Sequence, residues 1–376
     1  MRVMFVLNCL VPGGAELHTL QLASSLVTDG DCCTIVSLRP HDPTRTLHVP
    51  VSKAILNGNR IYNLDTIYLL SQLISRLSPQ LIVAIESRPL LFSAAARGFA
   101  DGHTKIVSIL HSAYFFTVRE SVFHLMNRHA VAHVDGIVYV SENQRKLWQE
   151  RGYSPLRSVV IPNGIDLTRF SASTSTDPGA HVRLTMGIQP DDYVVGMCAH
   201  FRPEKNHRQL IDAIGILRSR GCPVKALLVG DGPTKAGVAQ YAADNGLREH
   251  VVFAGHQSDV RPYISAFDVG VLCSIYEAAP LAALEIMAMG RPVVITNVGG
   301  APEIVRSGQT GFLFPVGDTA SLVNFIEVLS DPHKREVFGR AASRFVAENC
   351  TAERMLSRYR DFFSSVIGDE YKCSLQ

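Results

Sequence analysis

Residues 268–295 read DVGVLCSIYEAAPLAALEIMAMGRPVVI. Val269–Leu272 and Val293–Ile295 are short apolar runs of strand length, and Leu281–Met289 between them is long enough for a helix. Pro280 fits the first helical turn and Gly290 the position just past the helix end. A strand, a helix and a second apolar strand in succession make a unit of a parallel sheet with helices on its faces.

The same rhythm runs outward in both directions. In the second half of the chain, ahead of this stretch, strands are predicted at Val194–Met197, Ala226–Val229 and Val251–Phe253 as well. In the first half they are predicted at Val3–Leu7, Thr34–Leu38, Leu81–Ile85, Ile106–Leu110, Ile137–Val140 and Val159–Ile161, with helices such as Leu17–Val27 and Leu64–Leu77 between them. Uninterrupted apolar strands such as Leu81–Ile85 are expected where both faces of a sheet are covered. The polar stretch Ser171–Pro178, which follows Asn163-Gly164, breaks the rhythm and reads as a linker. Two doubly wound α/β domains are therefore predicted, 1–168 and 169–351.

Composition narrows the function. The chain has 376 residues, too many for one ordinary core; 47% are hydrophobic and 19% charged, the balance of a folded chain. A formal net charge of +2 gives no footprint for nucleic acid. The apolar Arg2–Asn8 breaks at Pro12-Gly13-Gly14 with Glu16 close behind, so it reads as a first buried strand rather than a signal peptide. No apolar run approaches the roughly 18 residues of a membrane span. The eight cysteines form no Cys-x-x-Cys pair and read as reduced thiols of a cytoplasmic protein. Asp29-Gly30-Asp31 reads as a solvated turn at the sheet end away from the ligand loops, so no metal site is predicted.

Ligands of open parallel sheets bind where loops gather at the carboxyl ends of the strands. In the loop after Val269–Leu272, the N-terminus of the helix from Leu281 suits a diphosphate, because its first N–H groups are unpaired and its dipole is positive there. Glu277 and Glu285 flank that end. A carboxylate inside so apolar a helix as that of Glu285 needs a partner, and the hydroxyls of a sugar or ribose supply one. His200-Phe201-Arg202-Pro203-Glu204-Lys205 follows another strand, and its Arg and Lys can meet phosphate oxygens. Gly13-Gly14 follows the first strand and lets backbone approach a ligand closely. His111 stands at the end of Ile106–Leu110. A solvated charged loop, an ordinary βα turn that happens to hold two glycines and a structural histidine are the plain alternatives for these three.

Together these motifs resemble glycosyltransferase family 4 (group 1), retaining enzymes of the GT-B fold, in which two Rossmann-like domains face a central cleft. The resemblance rests on Gly13-Gly14-Ala15-Glu16, His111, Asn163-Gly164-Ile165-Asp166 and Arg202-Pro203-Glu204-Lys205. It rests further on Gly230-Asp231-Gly232-Pro233, Val252-Phe253-Ala254-Gly255, the Glu277 and Glu285 pair, Gly299-Gly300-Ala301-Pro302-Glu303 and Gly311-Phe312-Leu313. It implies that Gly13 and Gly14 approach diphosphate or acceptor, and that His111 touches the donor sugar. Lys205 would hold the diphosphate, Glu277 and the N–H groups of Leu281 and Ala282 the sugar and phosphate, and Glu285 the ribose. Phe253 and Ala254 would line the base. Relatives often carry an arginine a few residues before the lysine, where this chain has His200; either Arg202 substitutes or His200 donates. The resemblance also assigns the last helix, within 352–376, to the N-terminal domain.

The resulting expectation is a retaining, metal-independent hexosyltransferase using a nucleotide sugar, UDP-linked by family frequency, without cofactor. The acceptor would be a glycan or a lipid-linked glycan in polysaccharide or glycoconjugate biosynthesis. A nucleotide-sugar epimerase and a non-catalytic sugar-nucleotide-binding partner are the alternatives, whereas Gly230-Asp231-Gly232 lacks the spaced third glycine of a nicotinamide site. Arg119–Ala132 mixes apolar and basic residues, which fits either an interfacial helix touching the inner face of a membrane or a packed surface helix.

Overall fold

The computed structural model describes residues 1–11, 13–40, 51–56, 64–100, 103–112, 126–171 and 178–368. The chain divides into two compact units, one made of Met1–Pro162 and Met355–Gln376, the other of Asn163–Arg354. The change of unit at Pro162 precedes the predicted boundary after residue 168. The stretch expected to link the domains lies inside the second unit, and its residues 172–177 are outside the described ones.

The first unit holds β1 (Arg2–Leu7), β2 (Cys32–Ser37), β3 (Ser52–Ile55), β4 (Leu81–Ile85), β5 (Lys105–Leu110), β6 (Gly136–Tyr139) and β7 (Ser158–Val160). They form one sheet in the order β3-β2-β1-β4-β5-β6-β7, all parallel. Side chains alternate across it. Val3, Phe5 and Leu7 of β1 join Leu81, Val83 and Ile85 of β4 in one apolar cluster, and Met4, Val6, Ile82 and Ala84 enter another. Both faces are thus covered, which is why these strands are continuously apolar. The last helix, Ala352–Ile367, lays Met355, Tyr359, Phe363 and Val366 onto the first of these clusters, a stripe at helical spacing.

The second unit holds β8 (Tyr193–Cys198), β9 (Val224–Val229), β10 (Val251–Gly255), β11 (Val269–Leu272), β12 (Val293–Thr296) and β13 (Gly311–Phe314), in the parallel order β10-β9-β8-β11-β12-β13. In each sheet the winding reverses beside the strand that starts the unit, between β1 and β4 and between β8 and β11. Such a switch point opens a crevice at the carboxyl ends of its two strands.

Every strand but β3 and β13 was predicted. β3 is mostly exposed at the edge of its sheet and carries no apolar run, whereas β13, Gly-Phe-Leu-Phe, is apolar but only four residues long and half-buried at Phe312 and Leu313. Asp29-Gly30-Asp31 is not simply solvated: Arg360 of the last helix pairs with Asp29 and lies 3.8 Å from Asp31. Cys373 lies outside the described residues, and the other seven cysteines are unpaired. Of Arg119–Ala132, residues 119–125 lie outside the described ones; residues 126–131 are helical, with Asn127, Ala130 and Val131 buried. Among the described residues no helix is long and apolar enough to cross a membrane.

Candidate functional site

In the second unit, the loops after β8 and β11 meet. Lys205 closes the short turn Pro203–Lys205 and forms an ion pair with Glu277, whose Oε1 also accepts the Ser274 hydroxyl at 2.8 Å. Backbone joins the same loops, Ile275 N–H donating to the Glu204 carbonyl at 2.8 Å. Asn206 makes the turn possible by taking a left-handed conformation (φ +49°), which asparagine tolerates better than most residues. The following helix, His207–Ser219, begins with a buried ring stacked on Phe201 at 4.0 Å. Burial and the Lys205 charge beside it hold the His207 imidazole down at about 4, so it is neutral and leaves Lys205 the cation of this corner.

The helix Leu281–Ala288 starts four residues after Glu277. Pro280 is its cap rather than part of its first turn, its carbonyl accepting from Ala283 N–H at 3.1 Å. The N–H groups of Leu281 and Ala282 have no acceptor within the helix. Gly290, at φ +70°, ends it as predicted. Two further contacts fix the loop. Asn163 donates to the Ala279 carbonyl at 3.3 Å, and Gly299 passes so close that an added Cβ would stand 1.5 Å from the Glu277 carbonyl oxygen. Asn163 and Gly299-Gly300, whose Gly300 N–H donates to the Ala278 carbonyl at 3.0 Å, therefore serve the loop that carries Glu277.

Glu285 is different from Glu277. Among the described residues no hydrogen bond or ion pair reaches its carboxylate, and burial pushes its pKa up to about 7, with the Arg169 charge opposing. A largely buried acceptor without a partner is what a ligand hydroxyl would satisfy. His200 and Arg202 are exposed; the Arg202 guanidinium, 60% exposed, only approaches Glu204 at 4.0 Å. Phe253 packs against Phe201 with ring centroids 6.1 Å apart, and the Ala254 carbonyl accepts from Gln257 at 2.7 Å. Among the described residues no group of three or more His, Cys, Asp or Glu could hold a metal ion.

In the first unit, Gly13 caps the helix Gly14–Thr28 in an extended conformation after β1. His111 follows β5. Its ring meets His18 of that helix edge-on at 4.7 Å, and His18 meets Tyr359 at 5.3 Å. Nε2 of His111, both nitrogens of His18 and the Tyr359 hydroxyl are buried and, among the described residues, have no hydrogen-bond partner. Burial holds His111 down at about 4 and, with the His111 charge adding to it, His18 well below its usual range, so both rings are neutral. His111 N–H donates to Glu86 Oε1 at 2.9 Å, and the Ser112 hydroxyl donates to Oε2 at 2.7 Å.

The sequence singled out Lys205, Glu277, Leu281, Ala282 and Glu285, and the second unit gathers them at its switch point. It missed Ser274, Glu86 and His18. Ser274 and Glu86 each sit at or next to the end of a strand flanking a switch point, which is the one signal that marks them.

Residues 185–345 match the family model Glycosyl transferases group 1, and residues 12–169 match Glycosyltransferase Family 4. N-acetyl-alpha-D-glucosaminyl L-malate synthase of Bacillus anthracis is 31% identical over 49% of this chain and 48% of its own length. UDP-Gal:alpha-D-GlcNAc-diphosphoundecaprenol alpha-1,3-galactosyltransferase of Escherichia coli is 24% identical over 60% of this chain and 59% of its own. The chain thus spans about half the length of the curated relatives it matches. Among solved structures, Anabaena HepE in complex with UDP-glucose aligns with a TM-score of 0.84 and 21% identity, covering 97% of this chain and 100% of that one. That likeness is one of fold.

The raised Glu285 carboxyl makes stability depend on pH. The folded protein keeps this proton up to about 7, whereas the ordinary value is 4.5. Between these values the folded state binds more protons than the unfolded one, so stability falls as pH rises. Glu285→Gln should remove that slope. In urea unfolding at about pH 5 and about pH 7.5, wild type should lose on the order of 1–3 kcal/mol more than the variant. Parallel losses would mean that the carboxyl is ionised throughout.

Proposed function

The chain belongs to the group 1 glycosyltransferases, and on that premise we propose that it transfers a hexose or N-acetylhexosamine from a UDP-sugar to a glycan or lipid-linked acceptor, with retention of configuration and without metal. The observation that carries this reading is the second unit's corner of Lys205, Glu277 and the helix N-terminus at Leu281, with the partnerless carboxylate of Glu285 in the same helix. The UDP-glucose bound to Anabaena HepE and the name of the Escherichia coli galactosyltransferase relative support a UDP-sugar as donor. The diphosphoundecaprenol in the name of the Escherichia coli relative supports a lipid-linked acceptor.

In this reading the diphosphate rests on the N–H groups of Leu281 and Ala282, and Lys205 turns its ammonium from Glu277 to the phosphate oxygens. Glu277, still held by Ser274, then accepts hydroxyls of the donor sugar, and Glu285 accepts those of the ribose. As the anomeric C–O bond breaks, its electron pair leaves with the diphosphate. Lys205 and the helix end stabilise the charge that grows there, and preorganised groups of this kind supply much of an enzyme's rate enhancement. The acceptor oxygen bonds to the anomeric carbon from the face the diphosphate leaves, and its proton departs with the diphosphate. The family resemblance assigns His111 a contact with the donor sugar, and its neutral ring would not oppose positive charge developing there.

A screen of nucleotide sugars, read by release of nucleoside diphosphate in the presence of acceptor, tests the activity. Binding of a donor with no release from any of them would make the chain a non-catalytic partner. EDTA should leave turnover unchanged; loss of most turnover, restored by magnesium or manganese, would end the metal-free reading. The two glutamates should separate, because contacts equal in ground and transition state act on KM and those that strengthen act on kcat. Glu285→Gln should weaken nucleoside diphosphate binding about 10-fold to 100-fold, as loss of a charged hydrogen-bond partner does. Glu277→Gln should lower kcat by roughly 100-fold while that binding stays near wild type. The reverse pattern in titrations and steady-state kinetics would exchange the two roles.

A further inference from the structure

Glu86 pays for its place twice. It follows β4 at the switch point of the first unit and has φ +75° and ψ 174°, a region that only glycine occupies without strain. It also carries a carboxylate among β-strand ends where burial disfavours the charge. Neither cost serves the helix Ser87–Phe99 that it precedes, because the Glu86 side chain makes no capping hydrogen bond there. What the carboxylate does instead is accept His111 N–H and the Ser112 hydroxyl, at 2.9 and 2.7 Å.

The same short stretch is held from its other side. Gln144, buried in the helix Glu142–Glu150, donates to the carbonyls of Leu110 at 2.9 Å and Ser112 at 2.8 Å, and the Trp148 indole donates to Ser112 at 3.1 Å. Glu86 N–H donates to the Ile109 carbonyl at 2.9 Å. Backbone from 109 to 112 is thus fixed on both sides of the ring-bearing residue, while the ring itself leans on His18 and, among the described residues, has no hydrogen bond at Nε2. Strain that the surrounding structure holds in place at a ligand loop is characteristic of functional sites.

We propose that Glu86 is a positioning residue, which sets where the His111 ring stands through the His111 N–H and the Ser112 hydroxyl. The proposal rests on the role given above to His111. It requires reach and two acceptor or donor positions at the end of the side chain, not negative charge. Glutamine meets that requirement: its oxygen accepts from His111 N–H, and its NH₂ donates to the Ser112 oxygen. Aspartate keeps the charge and loses the reach, and glycine relieves the backbone and loses both bonds.

The test compares Glu86→Gly, Glu86→Gln, Glu86→Asp and His111→Ala in the full chain by thermal unfolding, nucleoside diphosphate titration and steady-state kinetics with the donor found in the screen. Glu86→Gly should lower kcat by about 100-fold, the penalty of a catalytic group misplaced by about an ångström, while donor KM changes less than about 3-fold. It should melt at or near the wild-type temperature, since strain is relieved as the bonds are lost. Glu86→Gln should keep most turnover and Glu86→Asp should be slow; this pair decides the matter even if the glycine variant does not fold. Wild-type turnover in Glu86→Gly, with His111→Ala inactive, overturns the positioning role alone. Glu86→Asp active with Glu86→Gln slow assigns Glu86 a role through charge and overturns it equally. Full activity in His111→Ala removes the reading of His111, and this proposal falls with it.

Discussion

The ion pair between Lys205 and Glu277 ties together the two loops on which the candidate site depends. Both side chains are mostly withdrawn from water, 23% and 15% exposed, so either alone would leave a poorly compensated charge. The pair stands on loops from β8 and β11, adjacent strands at the point where the sheet reverses its winding. Ser274, Asn163 and Gly299 then fix the loop of Glu277 from three directions. The free protein thus holds its cation and its acid in contact, and in the proposed function a ligand would replace that partnership with an anion for one and hydroxyls for the other.

The first unit repeats the topology with different chemistry. At its switch point stand a glycine turn and Glu86, and one strand further along stands His111, packed against neutral and polar groups instead of a cation. The second unit presents an ion pair at its switch point; the first presents uncharged rings and hydrogen-bonding groups.

Much of this was legible in the sequence because buried parallel strands are unbroken apolar runs. β1, β4 and β11 announce themselves, whereas β3, an exposed edge, does not. Lys205, Glu277 and Glu285 were legible because charge in loops at strand ends, or in an apolar helix, asks for a reason. Glu86 was not legible, because its significance lies in a backbone angle and in two contacts across 25 and 26 residues. His18 was hidden for a related reason: a histidine within a helix gives no sign in sequence of the ring it will touch. The pairing of Arg360 with Asp29 likewise joins residues 331 apart, beyond the reach of local pattern.

The claim that Lys205 serves a diphosphate and not merely Glu277 is open to a direct titration. UDP would be titrated into wild type, Lys205→Met, Glu277→Gln and the double variant. If Lys205 meets phosphate, Lys205→Met weakens binding by about 10-fold to 100-fold, the scale of a charged hydrogen bond. The double variant would recover only the part due to the stranded carboxylate and stay weaker than wild type. Wild-type affinity in the double variant would show that Lys205 does no more than neutralise Glu277, and the account of the donor site would be wrong.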